Sequence, residues 1–303
     1  MKTTGMTILA MTILLALGLA PAYPAASQAP EAETAADSGG HRESEPNDTA
    51  YLPTVRWDPR PGVMVPVPSG EFTMGSNTGF SDQQPVHTVY LDAYAIDLYE
   101  VTDAEYAGFL NTRGNQQEGG GTWLHADDPG VRIHQVSGVW QADAGYGDHP
   151  VVSVTWYGAR AYCTWVGKRL PTEAEWEKAA RGTDARTYPW GNQTLDCSLA
   201  NYYSGCVGET SPVGSYPSGA SYYDALDMAG NVWEWVNDWY SSDYYSVSPY
   251  RNPPGPASGS RKVLRGGSWG SVAYDVRAAH RGDAYLVPSC EYFDFRCAGS
   301  LGD

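Results

Sequence analysis

The chain has 303 residues, 42% of them hydrophobic, which is enough for one large domain or two small ones. A formal net charge of −16 argues against nucleic acid as a partner, because phosphate binding needs a basic face. With 34 Gly, 11 Trp and 22 Tyr against 5 Phe, the composition points to a loop-rich fold cored by aromatics whose polar tips need partners.

Residues 1–27 read as an export signal. Lys2 supplies the positive charge, Met6 to Leu19 form an apolar run, and Ala20-Pro21-Ala22 or Ala25-Ala26-Ser27 offers small residues for cleavage. The run is short for a membrane span, with an uncleaved anchor as the alternative, and no other span is expected. The expected location is therefore extracytoplasmic: periplasmic, cell-surface or secreted. Residues 28–60 are rich in Ala, Glu, Ser, Pro and Asp with no apolar period, which reads as a disordered linker before a domain at 61–303. Export changes how the five cysteines are read: an oxidising compartment favours disulfides, and an odd count leaves at least one thiol free or intermolecular.

Within the domain, Val86 to Tyr94 alternates apolar and polar residues, as a half-buried strand does. Thr102-Asp103-Ala104-Glu105 is a capping box, and the helix behind it, through about Asn111, buries Tyr106, Phe109 and Leu110. A second helix over Thr155 to Val166 puts Trp156, Ala159, Tyr162, Cys163 and Val166 on one face. The third starts at the capping box Thr172 to Glu175, turns Trp176, Ala179 and Ala180 inward, and meets Gly182 where an αL residue belongs. After residue 183 the chain is mostly Gly, Tyr, Ser, Pro and Asn, predicting short strands and long ordered loops. No internal repeat is present.

GEFTMGS at 70–76, HPVVSVTW at 149–156, AYCTWVGKRLPTEAEWEKAARG at 161–182, PWGN at 189–192, DMAGNVWEW at 227–235, LRGGSW at 264–269 and FRCA at 295–298 occur in one order. This ordered set resembles the formylglycine-generating enzyme, or sulfatase-modifying factor, family over about residues 62–298. The resemblance implies an α+β fold, a variant of the C-type lectin fold with about three helices, few short strands and long ordered loops.

It also implies particular pairings and ligands. Cys163 and Cys297 match a long-range disulfide, with two buried thiols as the alternative. Asn201 matches a calcium-loop residue, but the downstream carboxylate of that pattern is missing, and a local Cys197–Cys206 disulfide is expected to tether the loop instead. Asp227 and Glu234 match side-chain ligands, and Gly230 and Val232 backbone-carbonyl ligands, of a structural calcium ion, an oxygen-rich set suited to a hard cation. The alternative is a turn capped by Asp227, with Glu234 in a salt bridge. None of the six histidines has a zinc-pair spacing, and His125 with Asp127 and Asp128 is either a metal set or an exposed loop.

One departure bears on function. The family's oxidase chemistry needs two nearby cysteines that bind copper(I), a soft ion preferring thiolates, and one of them engages the substrate cysteine. Here the turn runs Ser268, Trp269, Gly270, Ser271, and residues 207–289 contain no cysteine. Copper is therefore not expected, and Cys290 is the spare thiol. The pocket candidates become Ser268, Trp269, Ser271, Arg277, His280 and Arg281. Residues 269–295 mix small, polar and aromatic types without period, as in relatives diversified by adenine-directed mutagenesis or as after drift. Asp294 stands where relatives place Gly. Three functions remain: a module binding a peptide, protein or glycan; a metabolite-maturation enzyme in which Arg277, His280 and Arg281 converge in a deep pocket; or formylglycine generation through Cys290.

Overall fold

The described residues open with β1 (Met64–Val67), β2 (Gly70–Met74), β3 (His87–Leu91) and β4 (Tyr94–Asp97). The structure, a computed structural model, describes residues 62–203 and 205–301. The export signal and linker expected over 1–60 lie outside the described residues. The strand expected over Val86 to Tyr94 is in fact two. β3 pairs with β2, whereas β4 pairs with β1 on one side and with β13 (Ala298–Ser300) on the other. The chain changes sheets at Asp92, whose N–H donates to Asn252 Oδ1 at 2.9 Å instead of to a ladder. The phase of burial slips at the step: Val89 and Leu91 are buried, Ala93 is exposed, and Tyr94 is buried.

α1 (Asp103–Arg113) carries the expected capping box, with Thr102 and Glu105 bonding each other's backbone N–H, and it extends two residues past Asn111. Two small hairpins follow, β5 (Gln117–Glu118) with β6 (Gly121–Thr122), then β7 (Ile133–Val136) with β8 (Val139–Ala142). α2 (Trp156–Trp165) is capped by Thr155, and Val166, expected on its inner face, is the C-cap and 37% exposed. α3 (Glu173–Arg181) has its capping box, and Gly182 has φ 65° but an extended ψ of −146° rather than αL.

α3 is buried along all nine of its residues. Trp176, Ala179 and Ala180 reach 0% exposure as expected, but Glu173, Glu177, Lys178 and Arg181 are buried with them. Each charge has a partner, as burial requires. Glu177 accepts from Arg265, from Arg181 at 2.7 Å and from the Gly75 N–H at 2.8 Å. Lys178 donates to the Pro68 and Gly70 carbonyls.

The rest is β9 (Trp233–Trp239), β10 (Lys262–Arg265), β11 (Gly282–Ala284) and β12 (Phe293–Asp294), joined in the order β11-β10-β9-β12, with β12 parallel to β9. One hydrophobic cluster packs α3 against β1–β4, and another packs α1 and α2 against Trp235, Leu264 and Phe295. Both expected disulfides form: Cys163–Cys297 ties α2 to the start of β13 across 134 residues, and Cys197–Cys206 closes a local loop. Cys290 is the free cysteine.

Candidate functional site

The glycines after β10 let the chain reverse. Gly266 and Gly267 have φ of 93° and 77°, which a residue with a Cβ rarely adopts. The turn they open is closed by its own serines: the Ser268 N–H donates to Ser271 Oγ at 3.0 Å, and the two hydroxyls lie 3.3 Å apart. Both serines are buried.

This turn is fastened to the segment expected to bind calcium. The Gly230 N–H donates to the Gly266 carbonyl at 2.9 Å, and the Trp269 N–H to the Asn231 carbonyl at 2.8 Å. The Asn231 N–H in turn donates to the Asn201 carbonyl at 2.7 Å, so three segments distant in sequence meet here. A Cβ on Gly230 would fall 2.2 Å from the Asn201 carbonyl oxygen, which leaves glycine as the residue that fits.

The oxygens of this segment are partly committed. Asp227 Oδ2 accepts from the Gly214 N–H at 2.6 Å. Glu234, 0% exposed, accepts from Arg296 through both oxygens and from Trp176 Nε1 at 2.9 Å. The expected alternative, a capped turn with a Glu234 salt bridge, thus describes these contacts. Among the described residues, no three His, Cys, Asp or Glu side chains gather as a metal cluster. Asn201 Oδ1 is a buried acceptor with no partner, and burial pushes the Asp227 carboxyl up to about 6. Asp227 and the carbonyls of Gly230 and Val232 are the oxygens that would hold a hard cation here, since Glu234 is fully engaged by Arg296 and Trp176.

Of the basic pocket candidates, Arg277 and His280 meet at Tyr274, whereas Arg281 is engaged elsewhere. Arg281 is buried, forms a bidentate pair with Glu173 at 2.6 and 3.0 Å, and packs between Tyr240 and Tyr245. His280 is buried beside Phe80, Tyr274 and Trp233, with Nδ1 3.3 Å from Gln83 Nε2. Burial pushes its pKa down to about 4, leaving a neutral ring at neutral pH. Arg277, half-buried, stacks over Tyr274 at 4.4 Å.

What reaches the surface around the turn is aromatic. Trp269 packs on Tyr292 with ring centroids 4.8 Å apart, and Tyr188 stacks on Trp190 at 5.1 Å with 4° between planes. The Tyr203 N–H donates to the Ser271 carbonyl, and the Tyr203 ring is 58% exposed. The sequence reading missed Tyr188, Trp190, Tyr203 and Tyr292. The PWGN motif was the available signal for the first pair.

Cys290 precedes by two residues Tyr292, the ring that packs on Trp269. Its carbonyl accepts from the Ser153 N–H at 3.2 Å, and its neighbour Ser289 donates to Asp128. Burial, then the charges of Asp128 and Glu291, push the thiol pKa up, the reverse of what a reactive thiolate needs. Asp294 is 0% exposed with no partner for either oxygen, and burial drives its carboxyl well above the usual range.

The sulfatase-modifying factor enzyme 1-like domain model matches residues 53–301. The serine/threonine-protein kinase pkn1 of Chlamydia caviae is 43% identical over 240 residues, which are 78% of this chain but 37% of that protein. This chain therefore spans under two-fifths of the kinase's length. The formylglycine-generating enzyme of Streptomyces coelicolor is 36% identical over 279 residues, covering 77% of this chain and 88% of the enzyme. Among solved structures, PvdO from Pseudomonas aeruginosa superposes with a TM-score of 0.65 at 29% identity, covering 78% of this chain and 94% of PvdO.

Proposed function

This chain belongs to the sulfatase-modifying factor family, and we propose that it is an exported, calcium-stabilised binding module that has lost copper-dependent formylglycine generation. The observation that carries the reading is the Ser268–Ser271 pair. At the turn where the family's chemistry calls for thiols, two buried hydroxyls bond each other. A hydroxyl is a poor ligand for a soft ion such as copper(I). The remaining free thiol, Cys290, is half-buried, and burial pushes its pKa up, away from a reactive thiolate.

The aromatic pairs Trp269–Tyr292 and Tyr188–Trp190 support binding in place of oxidation. Flat rings with polar tips give large contact area at low entropic cost, and they suit a peptide, a protein or a glycan. Asp227, with the carbonyls of Gly230 and Val232, would hold the calcium ion. The ion would add charge compensation to a segment that already positions the Ser268–Trp269 turn, and it would take no part in chemistry.

The test is a peptide oxidation assay. The chain, loaded with copper(I) under oxygen, is given a Cys-X-Pro-X-Arg peptide, and mass spectrometry follows conversion of Cys to formylglycine. No turnover by folded protein is expected. Turnover would overturn the reading, and its loss in Cys290→Ala would assign the thiol responsible.

A further inference from the structure

The chain carries a net charge of −16, and most of its described arginines are spent on its own carboxylates. Arg277 is not. Half-buried, it lies over the Tyr274 ring at 4.4 Å and forms no ion pair among the described residues. Its Nε is buried without an acceptor, while Nη1 and Nη2 are not buried and open to solvent. Asp275, two residues away, sets Oδ1 3.6 Å from His280 Nε2 instead. Arg113 and Arg132 also lack a carboxylate, but Arg113 is exposed in the last turn of α1 and Arg132 donates to the Pro129 carbonyl.

Aromatic rings fix where this guanidinium can act. Phe80, 59% exposed, meets Tyr274 edge-on with centroids 4.8 Å apart. Buried His280, 5.3 Å from Tyr274, anchors the same ring from the interior. Tyr274 thus carries an exposed apolar ring at one contact and an unpaired guanidinium at another. A guanidinium stacked on an aromatic face keeps its edge free for in-plane donation, the geometry that a carboxylate matches. The stacking also restricts the side chain before any ligand arrives, which lowers the cost of binding. The cluster adjoins the aromatic face of the turn, because the Tyr188 hydroxyl donates to the Ala273 carbonyl at 3.3 Å.

These facts select the ligand's chemistry. One guanidinium faces it and His280 is neutral, so a single negative charge is matched and a phosphate dianion is not. The acidity of the whole chain repels polyanions. Phe80 offers apolar area without a hydrogen-bonding atom, which suits a hydrophobic side chain better than the hydroxyls of a sugar. We infer that the Arg277–Tyr274–Phe80 cluster binds a peptide segment in which an acidic side chain stands two residues from a hydrophobic one, the carboxylate on the Arg277 Nη groups and the hydrophobic side chain on Phe80. In an extended peptide those two side chains share one face, roughly 7 Å apart. The inference rests on the binding-module reading and narrows its partner to an acidic peptide.

The test is NMR titration of the full chain with acetyl-Glu-Ala-Phe-amide and with its neutral counterpart acetyl-Gln-Ala-Phe-amide. Binding is read at the Arg277 Nε–H resonance, assigned by its disappearance in Arg277→Lys, and at the backbone amides of residues 272–278. The acidic peptide is expected to give a saturable shift, and the neutral one to bind at least fivefold more weakly. Arg277→Gln is expected to weaken the acidic peptide at least fivefold and Phe80→Ala at least threefold, with thermal melts confirming folded protein. The exposed Phe80 variant keeps the test valid should Arg277→Gln fail to fold. The inference is overturned if neither peptide gives a saturable shift, if the two peptides bind equally, or if both variants bind the acidic peptide normally. It is also overturned, in favour of a sugar acid, if glucuronate binds at Arg277 more tightly than the acidic peptide. A peptide whose binding is lost in Trp269→Ala but kept in Arg277→Gln would overturn this inference and keep the binding-module reading. Formylglycine turnover in the oxidation assay would instead overturn that reading, whatever the titration shows.

Discussion

Arg296 grips Glu234 side-on, Nε to Oε2 at 2.7 Å and Nη2 to Oε1 at 2.8 Å, and both side chains are 0% exposed. The Arg296 Nη1 also donates to the Asp97 and Leu98 carbonyls, each at 3.2 Å. The pair therefore joins β9 to the end of β4 through the core. Breaking one half leaves the other charge buried without compensation. Arg296→Met is expected to destabilise the fold by about 3–5 kcal/mol in urea unfolding. Arg296→Lys should restore little of this, because an ammonium cannot reproduce the planar two-bond grip. A variant as stable as the parent would show that the pair contributes no net stability.

The two disulfides should differ in worth. Chain-entropy reasoning assigns about 5 kcal/mol to the 134-residue closure of Cys163–Cys297 and about 3 kcal/mol to the 9-residue closure of Cys197–Cys206. Paired Cys→Ala variants compared by denaturant midpoint should fall in that order. The reverse order would mean that the local bridge does more to hold the native loop than to restrict the unfolded chain.

Asp103 should make stability depend on pH. Burial, then the charge of Asp143, pushes its carboxyl up to about 8, and neither oxygen has a partner. With the folded pKa above the unfolded one, its contribution is full below about pH 4 and is lost as pH rises toward 8. Asp103→Asn cannot ionise. It should therefore match the parent near pH 4 and exceed it near pH 8.5 by about 1–3 kcal/mol, the range for relieving an unsatisfied buried group. Equal gains at both pH values would remove ionisation as the cause.

Glu177 works in the opposite direction. Burial raises its carboxyl pKa, but Arg265 and Arg181 outweigh burial and hold it below the usual range. Its stabilisation is present above the ordinary carboxylate pKa and is lost as pH falls through its own lower value. Glu177→Gln should narrow the gap in melting temperature between pH 6 and pH 3. An unchanged gap would place the acid sensitivity elsewhere.

Calcium at Asp227 should appear in thermal unfolding. Saturation at 100 times Kd adds about 2.7 kcal/mol, or roughly 5–10 °C for a domain this size. The chain should melt lower in EGTA than in calcium, and Asp227→Asn should abolish the difference. Identical melts of the parent in both conditions would exclude a stabilising ion at this segment.

The sequence by itself determined the helices, because caps are local: Thr102 with Glu105, Thr155, and Thr172 with Glu175 bond the backbone of their own first turns. It also determined the family and both disulfides, through ordered motifs and matched cysteines, and it showed that the RGGSW turn lacks thiols. Only the tertiary structure decided which charges are buried. Glu173 and Glu177 are buried because Arg281 and Arg265, distant in the chain, are folded onto them. Arg281 and His280 were expected to line a pocket, but the fold places them in the interior, because a charge pattern along the chain does not say which arginine meets which carboxylate. The break between β3 and β4 and the unpaired Arg277 are of the same kind. Each depends on which distant segments pack together, which local sequence does not encode.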